Sequence, residues 1–315
     1  MPSTTTPCAL CGAASYQTLH DMGWRRILRC RQCRLVRADP LPTAEQKLVT
    51  ETKDYEVDVN CPEVHDMFAN YHRDFVEDPI IRRMRRHLAE LEEVLGGPRA
   101  VLDIGVGTGI FLHLARERGW DPYGVELCAE RATEAIREFE VPVAIGPFEE
   151  QHFDGRRFQA MTMLDVLEHV PDPLAMLRRA HAVLQPGGAL FVSVPNEASL
   201  LTVLVGLYAR AGGPSAAKLL ARLYVPVHLH YFTPRTLPRL LTAAGFRVHR
   251  VHGAPVYLGR YAIPLWMRLP LTGVLAVGTG VGMSPRIEVM AIKDATRGAG
   301  DARGSQPAAA GQSEA

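Results

Sequence analysis

Cysteine supplies the first chemistry to be read in this chain. Cys8-x2-Cys11 and Cys30-x2-Cys33 stand eighteen residues apart, the paired spacing of a zinc ribbon. Two residues between thiolates let each pair form a tight knuckle, and two knuckles close a tetrahedron around Zn²⁺. Four thiolates leave no open coordination position, so the metal is expected to be structural. Two dithiol redox pairs are the competing reading, but no thioredoxin-like strand–helix unit surrounds them. Cys61 and Cys128 lack partners at ligand spacing and read as ordinary thiols. A second constellation lies in VLDIGVGTGIFLHLARERGWDPYGVEL, residues 101–127. An apolar strand runs into Gly105-x-Gly107-x-Gly109 and then a helix, and the next strand ends in Glu126. Glycines are needed where the chain turns sharply and a ligand must lie against bare backbone. A carboxylate at the tip of the following strand can accept both hydroxyl hydrogens of a ribose. A dinucleotide site is one reading of this pattern. Its fingerprint, however, sets the last glycine further from the middle one, and here Ile110 follows Gly109.

The same segment resembles motif I of class I S-adenosylmethionine-dependent methyltransferases, and the likeness continues through MTMLDVLEHVPDPLAMLRRAHAVLQPGGALFVSVPN, residues 161–196. It covers about 98–252 well; LDVLEHVPDP followed by LQPGG is far more specific than any glycine triplet. The domain is similar to the ubiquinone-biosynthesis O-methyltransferase-like subgroup. With the N-terminal cysteines it also resembles bacterial zinc-ribbon methyltransferases of natural-product and cell-surface glycan pathways. The resemblance implies that Gly105, Gly107 and Gly109 line the methionine and ribose of the cofactor and that Glu126 holds the ribose hydroxyls. Asp103 would orient the loop and the amino group, or lock the loop by a hydrogen bond. Asp165, leaving the fourth strand, falls beside the same cofactor. Relatives often carry an acid where this chain reads Gly146-Pro147-Phe148, so Phe148 is expected to flank the adenine instead. Gln159 replaces an aspartate common at the start of the fourth strand, an outward position.

Methyl transfer is an in-line displacement at an activated sulfonium. The protein must align acceptor and methyl, exclude water, and take a proton from a hydroxyl or amine. Asp165, Glu168 and His169 leave the fourth strand at the right place, and His169 suits a general base by its titration range. A turn-stabilising Glu168–His169 pair is the alternative. His228 and His230, in VHLHYFTP, match the family's substrate-loop segment, and either could face the acceptor. Their i, i+2 spacing also suits a catalytic metal, but no third ligand is specified. Tyr231 and Phe232 read as pocket wall or core, and Asp172-Pro173 as a helix N-cap with a first-turn proline.

These residues need a scaffold, and the pattern supplies an α/β fold. Short apolar runs near 100–104, 122–126, 141–145, 158–164, 189–194, 246–251 and 286–292 alternate with helices near 109–118, 128–139, 173–184 and 234–244. That predicts a Rossmann-like seven-stranded sheet with helices on both faces and one antiparallel strand at its edge, reached through an irregular apolar stretch, 253–285. Residues 79–95 form an amphipathic helix with Ile80, Ile81, Met84, Leu88, Leu91 and Leu95 on one side. Arg82, Arg83, Arg85 and Arg86 on the other could touch an anionic substrate or nucleic acid. A solvated face balanced by Glu90, Glu92 and Glu93 is the favoured reading. The expected division is a zinc ribbon, 1–40, a helical connector, 41–97, a catalytic domain, 98–293, with an apolar lid insertion, 199–226, and a disordered tail, 294–315.

In 315 residues, 35 Lys and Arg oppose 34 Asp and Glu, so no bulk charge draws the chain to nucleic acid or anionic membrane. MPSTTTPCAL lacks a basic region followed by an apolar one, so a cytoplasmic location is expected. The resemblance implies an enzyme carrying S-adenosylmethionine and structural zinc, methylating oxygen on a small or lipid- or carrier-linked metabolite. A sugar C-methyltransferase is the nearest rival. From another class, an RNA-binding ribbon could carry an RNA-modifying or cofactor-sensing domain, though few aromatic residues interleave the ribbon arginines. Lid packing or a homodimer accounts for the apolar insertion; peripheral membrane contact is the alternative.

Overall fold

The computed structural model describes residues 6–43, 46, 78–213, 215–258 and 264–295. Cys61, most of the connector and most of the tail lie outside those residues. The N-terminal part forms three antiparallel strands, β1 (Tyr16–Asp21), β2 (Arg26–Cys30) and β3 (Val36–Asp39). Helix α1 (Pro79–Leu95) then opens on a proline at its first turn, with the Asp78 side chain accepting from Ile80 N, and stops at left-handed Gly96. Its apolar stripe buries Ile81, Leu88 and Leu91 at the spacing expected from the sequence.

The larger sheet follows. Strands β4 (Ala100–Ile104), β5 (Asp121–Glu126), β6 (Val143–Ile145), β7 (Phe158–Leu164) and β8 (Leu184–Pro195) run parallel, linked by α2 (Ile110–Glu117), α3 (Ala129–Phe139) and α4 (Pro173–Val183). Asp172 caps α4 by accepting from Ala175 N, with Pro173 beside it, as the dipeptide predicts. Further along come α5 (Leu200–Arg210), α6 (Ala216–Leu223), β9 (His230–Tyr231), α7 (Thr236–Ala243), β10 (Arg247–Ala254), α8 (Leu265–Gly280) and β11 (Arg286–Ile292). The seven-stranded order is β10-β11-β8-β7-β4-β5-β6. Antiparallel pairing lies at the expected edge: β11 runs against both β8 and the outermost strand β10. One apolar layer packs α1, α2 and α3 on the sheet through residues such as Leu88, Phe111 and Ala135. The opposite layer packs α4 and α7 through Leu177 and Leu240, and takes in Cys8, Cys30 and Cys33.

Two features differ from the expected layout. The stretch 253–285 is not irregular throughout, because α8 occupies its second half with Pro270 inside the helix. Its glycines and proline read as breakers, yet bare Gly278 lets the helix lie against α5; a Cβ there would come within 3.0 Å of Leu200 Cβ. The ribbon sheet also does not close on itself: β9 pairs with β3, Val36 opposite Tyr231 and Arg37 opposite His230, as a fourth strand from the C-terminal half.

Candidate active site

The parallel strands place their carboxyl ends on one edge, where ligands bind in such sheets. At that edge Gly107 takes a left-handed backbone (φ +54°), and a Cβ added there would meet nothing within 4 Å. Its N–H donates to Glu126 Oε2 at 2.9 Å, while Cys128 N–H donates to Oε1 at 3.0 Å. Two amides thus fix the carboxylate at the tip of β5, and about two of its four lone-pair sites remain for a ligand's hydroxyls. Gly109 is also left-handed (φ +82°), and a Cβ there would stand 2.8 Å from Ala135 Cβ, so glycine lets α2 start against α3. Bare backbone before open space and a strand-end carboxylate fit the cofactor that the resemblance implies.

Asp103 is buried and accepts from Thr162 Oγ1 at 2.6 Å. Burial pushes its carboxyl up to about 8, a group that stays protonated near neutrality and ties β4 to β7. Phe148 follows the carboxyl end of β6, is 3% exposed and packs its ring near Phe153 in the core. A short 3-10 turn carries the ring inward, an outcome that the local residue pattern does not reveal.

The turn after β7 contacts the glycine loop directly: a Cβ at Gly105 would lie 2.4 Å from Val166 Cγ2. Asp165 holds a left-handed backbone (φ +59°), with its N–H donating to Ser193 O at 2.9 Å. That turn aims its carboxylate at Arg286, which donates to it, and at Arg83, 4.0 Å away. Although 43% of its side chain is exposed, the crowded turn partly desolvates it and opposes ionisation; Arg286 and Arg83 outweigh that and hold the carboxyl below its ordinary value. Beside it, Glu168 is buried, and its carboxyl oxygens meet no hydrogen-bond donor among the described residues. Burial and the nearby Asp165 charge drive that carboxyl well upward. Ligand atoms of Glu168, His169 and His228 all lie within 4.8 Å of one another, and the two imidazoles meet edge to face at 4.9 Å. Burial, with His169 nearby, lowers His228 to about 3.

His230 stands apart from this cluster. It is 1% exposed, its Nδ1 lies 3.0 Å from Val170 O, and its strand pairs with β3, so the fold spends it on joining ribbon to domain. Burial lowers it to about 4. The two differ because His228 lies in the turn before β9, its N–H donating to Val225 O at 3.2 Å, whereas His230 is inside the strand.

The cysteine quartet comes together as its spacing predicts. All four Sγ atoms lie within 4.8 Å of one another, with Cys8–Cys33 at 3.4 Å and Cys11–Cys30 at 3.5 Å. Tetrahedral Zn–S bonds of about 2.3 Å set sulfurs about 3.8 Å apart, so the donors fit Zn²⁺.

The arginines of α1 are held more specifically than a solvated face requires. Arg86, its side chain 43% exposed, donates to buried Glu288 at 2.5 Å, and Arg83, 20% exposed, lines a cavity with Arg286 and Asp165. The acids expected to balance them go partly elsewhere: Glu92 pairs with Arg118 and Glu93 with Arg250. Arg286, opening the last strand, carried no sequence signal at all.

A seven-stranded sheet of this order, with a glycine loop and strand-tip carboxylate at its carboxyl edge, defines the class. The methyltransferase domain model matches residues 71–251, and the chain belongs to that family. Among curated relatives, it is 34% identical over 105 residues to the ubiquinone biosynthesis O-methyltransferase of Pseudomonas aeruginosa, covering 31% of this chain and 45% of that one. The Coxiella burnetii protein of the same name is 28% identical over 178 residues, 54% of this chain and 76% of that one. Among solved structures, the 1,6-didemethyltoxoflavin-N1-methyltransferase of Burkholderia thailandensis, bound to its substrate and S-adenosylhomocysteine, shares the fold at 19% identity and TM-score 0.50. That alignment covers 89% of this chain and 99% of the other.

Proposed function

We propose that this protein is an S-adenosylmethionine-dependent methyltransferase that methylates oxygen on a small or lipid- or carrier-linked metabolite. One observation carries the reading. The Gly107–Glu126 seat and the Asp165–Glu168–His169–His228 cluster meet at one sheet edge, joined through the Gly105–Val166 contact. When bound, S-adenosylmethionine supplies a methyl group on an activated sulfonium. Glu126 would hold the ribose, Gly107 would leave bare backbone for the cofactor to lie against, and Gly105 and Gly109 let the loop pack closely on Val166 and Ala135. Asp165, bound to Arg286, is an anchor rather than a base, since its arginines oppose protonation. His169 takes the acceptor's proton at its imidazole, and His228, neutral near pH 7, packs its ring against it. The oxygen assignment draws on the names of the curated relatives.

Zn²⁺ held by Cys8, Cys11, Cys30 and Cys33 is the structural metal of this reading. Arg25 and Arg37 are buried, and Arg25 donates to Val225 O and His228 O. Those two ribbon arginines serve the interior, which disfavours an RNA-binding ribbon. Among the described residues no helix is long and apolar enough to cross a membrane. A cytoplasmic enzyme with residues 199–226 as lid completes the proposal. Calorimetry with S-adenosylhomocysteine tests it: the protein binds, and Glu126→Ala loses the heat signal. Unchanged affinity in the variant would sink the site assignment.

A further inference from the structure

Between the first turns of α1, the start of β11 and the turn after β7 lies a cavity of about 510 Å³. Arg82, Arg83, Arg86 and Arg286 line it, against one lining carboxylate, Asp165. The charges do not cancel within this group. Arg286 and Arg83 share Asp165, while Arg86 is engaged by Glu288 at 2.5 Å and Glu90 at 3.4 Å. The Nε atoms of Arg83 and Arg286 are buried and meet no hydrogen-bond acceptor among the described residues. Guanidinium charge at the cavity wall thus exceeds the carboxylate charge facing it, and an oxyanion answers such an excess with charge-assisted bonds in planar fork geometry. The position matters equally. The cavity lies over the β8–β11 side of β7, whereas the Gly107–Glu126 seat lies over β4 and β5, so Asp165 stands between the two.

We infer that this cavity binds an anionic group, phosphate or carboxylate, carried by the methyl acceptor. The anion holds one end of the acceptor on Arg83 and Arg286, and its hydroxyl reaches the His169 cluster. The inference rests on the methyl-transfer reading of the neighbouring site. The cofactor's own carboxylate is the other source of the same chemistry, and the two can be told apart.

Inorganic phosphate is titrated calorimetrically into the full chain, alone and saturated with S-adenosylhomocysteine, at ionic strength matched with chloride. Phosphate is expected to bind in both states. Arg83→Gln weakens it about tenfold, the loss of one charge-assisted contact, with S-adenosylhomocysteine affinity held within about twofold. If Arg83→Gln loses its cooperative melt, Arg82→Gln on the exposed first turn replaces it, with an expected loss of about threefold. Absence of phosphate binding overturns the inference. So does phosphate binding that S-adenosylhomocysteine abolishes, since the cavity then takes the cofactor's carboxylate. A chain that binds phosphate but not S-adenosylhomocysteine refutes the methyl-transfer reading and leaves the anion site standing.

Discussion

Asp165, Glu168, His169 and His228 are chemically unlike one another, and their surroundings sort them. Asp165 is ionised and bound to Arg286; Glu168 is driven toward its neutral form; His228 is a neutral imidazole. His169→Gln should therefore lower turnover about a hundredfold or more while S-adenosylhomocysteine affinity stays unchanged; equal turnover would remove it as base. His230 makes a different prediction. Its folded pKa of about 4 lies below the ordinary 6.5, so the unfolded chain binds more protons between those values. Its neutral form supports stability above about pH 6.5, and that support is lost as pH falls toward 4. The urea midpoint should drop between pH 7 and pH 5, and His230→Phe should narrow the drop. Both histidines stand out in the sequence as candidates. Their difference does not, because it depends on β9 facing the ribbon.

Among the elements, α1 shows how a helix can be legible in outline and opaque in purpose. Its apolar spacing predicts both the helix and its buried face. What seats it is a carboxylate 202 residues away: Glu288, fully buried, takes Arg86 at 2.5 Å, His87 at 2.9 Å and His252 at 3.0 Å. Burial opposes that charge, but the histidine hydrogen bonds and Arg86 outweigh it and hold the carboxyl far below its ordinary value. Spacing along a chain cannot announce such a partner. Glu288→Gln should cost about 3 kcal/mol in urea unfolding, the range for breaking a buried ion pair from one side. Helix α8 was hidden for another reason: Pro270 and its glycines have low helix propensity, and packing on α5 overrides it.

At the scale of the whole molecule, ribbon and domain are one folded body. Arg239 donates to Cys33 O at 3.2 Å, Ala38 N–H to Leu229 O at 2.9 Å, and β9 completes the ribbon sheet. The cysteine spacing made the ribbon legible, but a two-residue strand has too little pattern to be seen in advance. Metal analysis should find one zinc per chain, and Cys30→Ser should lose it. Because β9 lies between His228 and Phe232, that variant should also melt lower and turn over more slowly; a metal-free chain with unchanged melt would refute the structural role. The same join has a temporal side. Arg25 and the His228 carbonyl it binds are 203 residues apart. At about 5–20 residues per second, the nascent N-terminal segment waits about 10–40 s for its last strand to be made. During that interval the β3 margin is an open edge at the ribosome's exit, the kind of edge that invites pairing with other chains.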